Sequence, residues 1–333
     1  MYPSSRPFSK AYVWTVNRVR RFIEDTAPKR PEWTKSLSVD PRQLLYEIAR
    51  TAYDACNLPA HTQDAVHYED TDLVRVVCVS DTHCQQETHP FLPSGDILIH
   101  AGDLTTTGTD EQLHSALSWL HSMPHQHKIF IAGNHDLGLS IPHKRNEILA
   151  HYPNLIYLEN SSCILPVRDR LVSVFGSPLT RNCGPGSVFQ YYSWEAEEIW
   201  RDAIPPFTDI LVTHGPPAYF RTGWTRFRRE GGCEGLLKAL WTARPTLHVF
   251  GHVHHGRGVS TLRYGTVQKA YESVFTGVRG LDALVLLIWA SLAATVRKEA
   301  DVQPGMHTRV VNAAWFERSR GGIVIDMHIP RRL

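Results

Sequence analysis

The stretch "LVRVVCVSDTH" (Leu73–His83) decides the fold. It opens with a nearly unbroken apolar run and ends in a polar turn carrying an aspartate and a histidine. A strand with one solvated face alternates apolar and polar residues. A continuous run of this length is what a strand covered on both faces requires. The same pattern returns in "DILIHAGD" (96–103), "KIFIAGNHD" (128–136), "RLVSVFGSP" (170–178), "DILVTHGPP" (209–217) and "LHVFGHVHH" (247–255). Between several of these runs lie helical stretches: "DEQLHSALSWLHSM", "HKRNEILAHY", "YYSWEAEEIWRDA" and "CEGLLKALWTA". Strands alternating with helices predict an α/β domain with largely parallel pairing. A last strand is expected in "GIVIDMHI" (322–329). The strand pattern alone suggests one twisted, doubly wound sheet.

Upstream, residues 1–70 read as a helical extension. "SKAYVWTVNRVRRFIEDT" has helical spacing, and "DPRQLLYEIARTAYDAC" begins with Asp40 as a candidate N-cap and Pro41 at the first helical position. Residues 71–333 form the α/β domain, interrupted at about 270–305 by an apolar helical insertion. Its core, "LDALVLLIWASLAATV" (281–296), opens with an aspartate. It is shorter than the ~20 apolar residues that span a bilayer. A buried or surface-docked helix is the reading, with contact at a membrane surface as the alternative.

The 333 residues are 42% hydrophobic, enough for a large core in one large domain or two smaller ones. A net charge of +2 argues neither for a polyanion-binding surface nor for an acidic tail, and no nucleic-acid polymer is expected as a partner. The six cysteines are scattered, with no CxxC pair and no signal-peptide h-region, which predicts reduced thiols and an intracellular, cytoplasmic setting. The Arg/Ser-rich start, with no acid before Glu24, leaves a mitochondrial presequence as the alternative. Nothing in the sequence sets an oligomeric state.

Nineteen histidines direct attention to metal sites. In open α/β sheets ligand sites form at the carboxyl ends of strands. Those ends carry Asp81 and His83, then Asp103, then Asn134, His135 and Asp136, then His214, then His252 and His254. A set of carboxylates, imidazoles and one amide suits borderline divalent transition ions better than calcium or a closed structural zinc site. Seven ligands are too many for one catalytic ion with an open position. They suit two ions, ~3.5–4 Å apart, sharing a carboxylate, an arrangement used in phosphoryl transfer.

The ordered elements "DTH" (81–83), "GD" (102–103), "GNHD" (133–136), "TH" (213–214) and "GHVH" (251–254) resemble the signature of the calcineurin-like metallophosphoesterases. "GCEGLL" and "RPTLHVFGHVHHGRG" narrow the resemblance to the metallophosphoesterase-domain-containing group related to brain protein 239. The resemblance implies a four-layer αββα sandwich of two mixed β-sheets flanked by helices. It implies that Asp81, His83 and His254 hold one ion, that Asn134, His214 and His252 hold the other, and that Asp103 bridges them. Gly102, Gly133 and Gly251 are expected to let the loops turn sharply beneath the metals. His135 is expected to face the substrate and act on the leaving group, with Asp136 orienting it or capping the next turn. Asn134, His135 and Cys233 are the expected substrate-binding residues. The implied activity is metal-dependent hydrolysis of a phosphodiester, nucleotide-like and perhaps cyclic, by an activated bridging water. Mn²⁺ is the expected ion, with Fe, Zn, Ni or Mg as alternatives. A phosphomonoesterase and a nucleotide-binding scaffold with feeble turnover are the competing readings; His254, present here, separates the scaffold from an active enzyme.

Overall fold

The computed structural model describes residues 49, 53, 73–88, 91–222, 232–275, 287, 307–315 and 321–329, all within the unit Ala49–Leu333. Each apolar run becomes a strand: β1 (Leu73–Val79), β2 (Ile97–Ala101), β3 (His127–Ile131), β6 (Arg170–Ser177), β9 (Ile210–Thr213) and β10 (Leu247–Phe250). The runs are short and buried on both faces, which β-branched and leucine side chains accept well. Shorter or more polar strands complete the set: β4 (Leu155–Tyr157), β5 (Ser161–Val167), β7 (Thr180–Arg181), β8 (Gln190–Tyr191), β11 (Gly258–Arg263), β12 (His307–Asn312) and β13 (Ile323–His328).

The strands form two large sheets, not one. The first has the order β13-β1-β2-β3-β4, parallel except for β13 at the edge. The second has the order β11-β12-β10-β9-β6-β5, parallel at its centre with antiparallel edges. Period-two alternation divides each strand between two cores. Ile97, Ile99 and Ala101 of β2 join Val174, Ile210 and Val249 of the second sheet in the core between the sheets. Leu98 turns outward instead, toward Leu113, Leu117 and Leu120 of α1 (Asp110–Ser122). On the far side, Trp200 of α3 (Ala196–Trp200) and Leu236 and Leu240 of α4 (Glu234–Ala243) cover Leu211 and Phe250. Helix α2 (Pro142–Ala150) adds Ile148 to the first outer layer, and α5 (Thr266–Phe275) follows β11. The layers are therefore helix, sheet, sheet, helix. Truncating a fully buried central residue such as Ile99 or Ile129 to alanine would cost about 2–5 kcal/mol.

Local signals set where α1 begins. The Thr109 hydroxyl accepts from the Gln112 N–H, and Asp110 and Glu111 sit in the first turn, where the helix dipole favours acids. Met123 leaves the helix in an extended conformation, with Pro124 behind it. This helix follows the loop after Asp103.

Of the expected N-terminal extension only Ala49 and Tyr53 are described, both helical and buried. Of the apolar run 281–296 only Leu287 is described, helical and fully buried. No described helix is long and apolar enough to cross a membrane.

Candidate metal centre

The carboxyl ends of β1, β2, β3, β9 and β10 meet at one rim. The loops that follow run side by side: the N–H of Asp81 donates to Gly102 O (2.9 Å), that of His83 to Asp103 O (3.2 Å) and that of Gly251 to His214 O (3.1 Å). Asp81, His83, Cys84, Asp103 and His252 all have positive φ, between 43° and 66°. Such backbone costs of order 1–3 kcal/mol per residue and persists where its surroundings hold it. Four of the five are Asp or His, types that tolerate the left-handed region better than branched side chains do.

Among the described residues, six of ligand type fall into two groups, Asp81/His83/His254 and Asp103/His214/His252; within each group the ligand atoms lie within 4.8 Å of one another. In the first, Asp81 Oδ1 is 3.3 Å from His254 Nε2 and 3.9 Å from His83 Nε2. In the second, Asp103 Oδ2 is 3.2 Å from His214 Nε2. The same Oδ2 lies 3.7 Å from His83 Nε2, so it faces both groups. Asn134 completes the second group, its Oδ1 standing 3.0 Å from His214 Nε2 and 2.9 Å from His252 Nδ1. The Asn134 amide is turned this way by its Nδ2, which donates to Ser187 Oγ (3.3 Å).

Backbone carbonyls fix which ring nitrogen faces the centre. His83 Nδ1–H donates to Thr105 O (3.0 Å) and His214 Nδ1–H to Ala101 O (2.9 Å). A carbonyl can only accept, so both histidines present Nε2 to the carboxylates, as metal-bound imidazoles do.

Charge explains the protonation pattern. Burial alone would raise the Asp81 carboxyl; the hydrogen bond from His254 and the nearby imidazoles hold it well below its ordinary value instead. Burial likewise opposes ionisation of Asp103, and His214 outweighs it. Burial would lower His214, yet the Asp103 charge and hydrogen bond raise it to about 10. Burial keeps His83 low and holds His252 at about 4, so both are neutral at pH 7. A divalent ion would take the place of the proton that His214 and Asp103 share. The mixed oxygen and nitrogen donors, with their lone pairs aimed inward, fit two such ions.

The glycines work differently from the sequence expectation. Only Gly102 has positive φ among the three. Gly133 and Gly251 are needed for close approach: a Cβ at Gly133 would sit 2.2 Å from Asp103 Oδ1, and one at Gly251 2.1 Å from Asp81 Oδ2.

His135 lies beside both groups and in neither. Its N–H donates to Asp103 Oδ1 (2.8 Å), and its ring stands edge-on to His83 with centroids 5.0 Å apart. The expected partner of its ring is displaced. Asp136 is fully buried and turned away: its oxygens accept from the N–H of Gly133 (2.8 Å), Leu104 (3.2 Å) and Thr105 (2.9 Å) and from the Thr105 hydroxyl (2.8 Å). His135 Nδ1–H donates to Thr106 O instead (2.8 Å). Asp136 does not cap the following turn with its side chain either. Neighbours in sequence point apart here, and the carboxylate ties the loop after Asp103 to the loop after β3.

Cys233, expected to bind substrate, lies in neither ligand group. It is 3% exposed in the outer core beside Trp200 and Tyr191, and its Sγ accepts from the Leu236 N–H (3.2 Å) as the N-cap of α4. Its backbone pairs with Pro216 and Ala218, so it braces the loop after His214 from behind. His255 is exposed and outside both groups. The sequence reading did not find Thr105, Thr106 and Ser187, because two of the three act through main-chain carbonyls that any residue supplies.

Residues 74–256, more than half the chain, match the calcineurin-like phosphoesterases. The chain is 46% identical over 266 residues to a probable rhamnogalacturonate lyase C of Emericella nidulans, covering 77% of this chain and 24% of that protein. It is 34% identical over 233 residues to metallophosphoesterase domain-containing protein 1 of Homo sapiens, covering 61% of this chain and 66% of that one. A UPF0046 protein of Caenorhabditis elegans is 34% identical over 209 residues, covering 57% and 67%. The chain thus spans about a quarter of the first of these and just under two thirds of the second. The matched segment contains all seven ligand-type residues and His135, and the chain belongs to the calcineurin-like phosphoesterase family.

Proposed function

We propose that the chain is a metal-dependent hydrolase of phosphoric esters, that it prefers a nucleotide-like phosphodiester, and that Mn²⁺ serves it best. The observation that carries this reading is Asp103 Oδ2, which faces His214 Nε2 at 3.2 Å and His83 Nε2 at 3.7 Å, between two complete ligand groups. Asp81, His83 and His254 would hold one ion and Asn134, His214 and His252 the other. When bound, such a pair supplies Lewis acidity and a nucleophile at neutral pH. The mixed donor set supports a borderline transition ion.

His135 acts on the leaving group. Its Nδ1–H is committed to Thr106 O, so Nε2 is the working nitrogen. From there it can pass a proton to the departing oxygen. The anchor from His135 N–H to Asp103 Oδ1 keeps ring and bridging carboxylate in register.

The competing reading, a nucleotide-binding scaffold with weak turnover, needs a damaged centre; His254 in place beside Asp81 favours the enzyme. An intracellular setting is supported by five described cysteines that are all free. Contact of 281–296 with a membrane surface is tested by liposome flotation with and without that segment.

The deciding assay compares bis(p-nitrophenyl) phosphate with p-nitrophenyl phosphate in Mn²⁺, for wild type and Asp103→Asn. The diester should be the better substrate. Asp103→Asn should lose bound metal and about 100-fold in kcat, the size of ~3 kcal/mol of transition-state stabilisation. Full metal content and activity in that variant would refute the two-ion reading.

A further inference from the structure

Among the described residues, two fully buried histidines lie outside the ligand groups, one in each sheet. His100 is the fourth residue of β2 and His248 the second of β10. Both point away from the core between the sheets, toward the outer helices: the His100 ring stands edge-on to Trp119 of α1, and the His248 ring packs on Phe250. A buried imidazole on an apolar face is a poor packing choice, so its hydrogen bonds need an explanation.

Those bonds follow one plan twice. The Thr82 hydroxyl donates to Leu104 O (3.3 Å) and lies 3.1 Å from His100 Nε2. The Thr213 hydroxyl donates to Gly215 O (2.7 Å) and lies 2.8 Å from His248 Nε2. A threonine has one hydroxyl proton, and in both cases a carbonyl takes it. Each histidine must therefore donate its Nε2–H to the threonine oxygen. The other nitrogen, Nδ1, has no hydrogen-bond partner among the described residues in either histidine. A buried polar atom without a partner carries a desolvation cost, and the fold bears it twice. Burial pushes both rings down to about 3, so they stay neutral and hold the donor in place.

What the two relays hold is specific. Thr82 sits between Asp81 and His83, and Leu104 follows Asp103. Thr213 precedes His214, and Gly215 follows it. We infer that His100 and His248 are positioning residues for the two halves of the metal centre, each acting through a threonine on the backbone of a ligand-bearing loop. This rests on the two-ion reading above. His100 serves the Asp81/His83 side and His248 the His214 side.

The test is a calorimetric titration of Mn²⁺ into the metal-stripped full chain, for wild type, His100→Phe and His248→Phe, with glutamine at each position as the donor-keeping control. Wild type should show two binding events. Each phenylalanine variant should weaken one event by about tenfold, within the range for partners that orient metal ligands. The two variants should affect different events. Glutamine, whose amide N–H can replace Nε2–H, should restore affinity to within a few-fold. Phenylalanine variants that melt earlier yet bind both ions as wild type does would overturn the inference. Wild type that binds no Mn²⁺ would instead sink the metal centre itself. Should the phenylalanine variants not fold, Thr82→Val and Thr213→Val break the same relays at nearly constant volume and must show the same split.

Discussion

Asp136→Asn separates two accounts of that residue. If the carboxylate served the His135 ring, the change would alter the acid-base limbs of the rate profile and little else. The structure says that it holds four donors, three of them backbone N–H groups, at 2.8–3.2 Å. An asparagine keeps one acceptor oxygen. In its better orientation that oxygen serves the N–H of Gly133 and Leu104, the new NH₂ donates to the Thr105 hydroxyl, and the Thr105 N–H is left facing a donor. One buried N–H without an acceptor costs about 1–3 kcal/mol. At ~2–4 °C per kcal/mol for a domain of this size, the melting temperature should fall by about 2–12 °C. The same loop presents Thr105 O to His83 and Thr106 O to His135, so Mn²⁺ affinity should fall with stability, by about tenfold or more. Differential scanning fluorimetry with and without chelator, Mn²⁺ calorimetry and a kcat–pH profile read the three quantities. A variant with wild-type melting and metal affinity but a shifted acid limb would refute the loop-tie argument and return Asp136 to the His135 ring.

Gly251→Ala should push Asp81 aside, since the new Cβ falls 2.1 Å from Asp81 Oδ2 and 2.0 Å from Ser80 Oγ; metal content after dialysis and a loss of about 100-fold in kcat check it. His135→Ala should leave both Mn²⁺ affinities within a few-fold and lower kcat by about 10²–10⁴, with the larger loss on esters that have poor leaving groups. Thr106→Ala should be nearly silent in kcat because only its carbonyl faces His135, whereas Thr105→Val should destabilise by about 1–2 kcal/mol through the lost hydroxyl bond to Asp136. Asp326, hydrogen-bonded by Arg75 across β1 and β13, has its carboxyl held below its ordinary value. The pair's contribution is therefore complete above that ordinary value and fades only as pH falls through the lowered one; both side chains are well exposed, so Asp326→Asn should change stability at pH 7 by at most about 1 kcal/mol in urea melts.

The strands were legible because their burial is two-sided. The same two-sidedness hid the division into two sheets. Along β2, Ile97 and Ile99 face the other sheet while Leu98 faces α1, and both environments ask for the same apolar residue types. Nothing in the run distinguishes sheet cover from helix cover, so the strand pattern alone suggested one sheet. The edge strand β5 was missed for the opposite reason. In β5, "SSCILPV", only Leu165 and Val167 are buried, and Pro166 argues against a strand in any central position. At the edge, where one side of the ladder is unpaired, that proline is tolerated.

The site divides along a similar line. Metal chemistry needs particular side chains, and Asp81, His83, Asp103, Asn134, His214, His252 and His254 stand at strand ends where a sequence shows them. Holding those side chains still needs mostly backbone: Ala101 O for His214, Thr105 O for His83, Thr106 O for His135. Every residue type offers a carbonyl, so these partners leave no mark in the sequence. The buried side chains that assist them do leave a mark, but an ambiguous one. His100 and His248 look like core histidines because they are, and Asp136 looks like a partner of His135 because it is adjacent. In each case the deciding fact is a direction in space. Leu98 and His100 share the outward face of β2, and that parity turns the His100 ring away from the rim of strand ends and under the loop that carries Asp81 and His83.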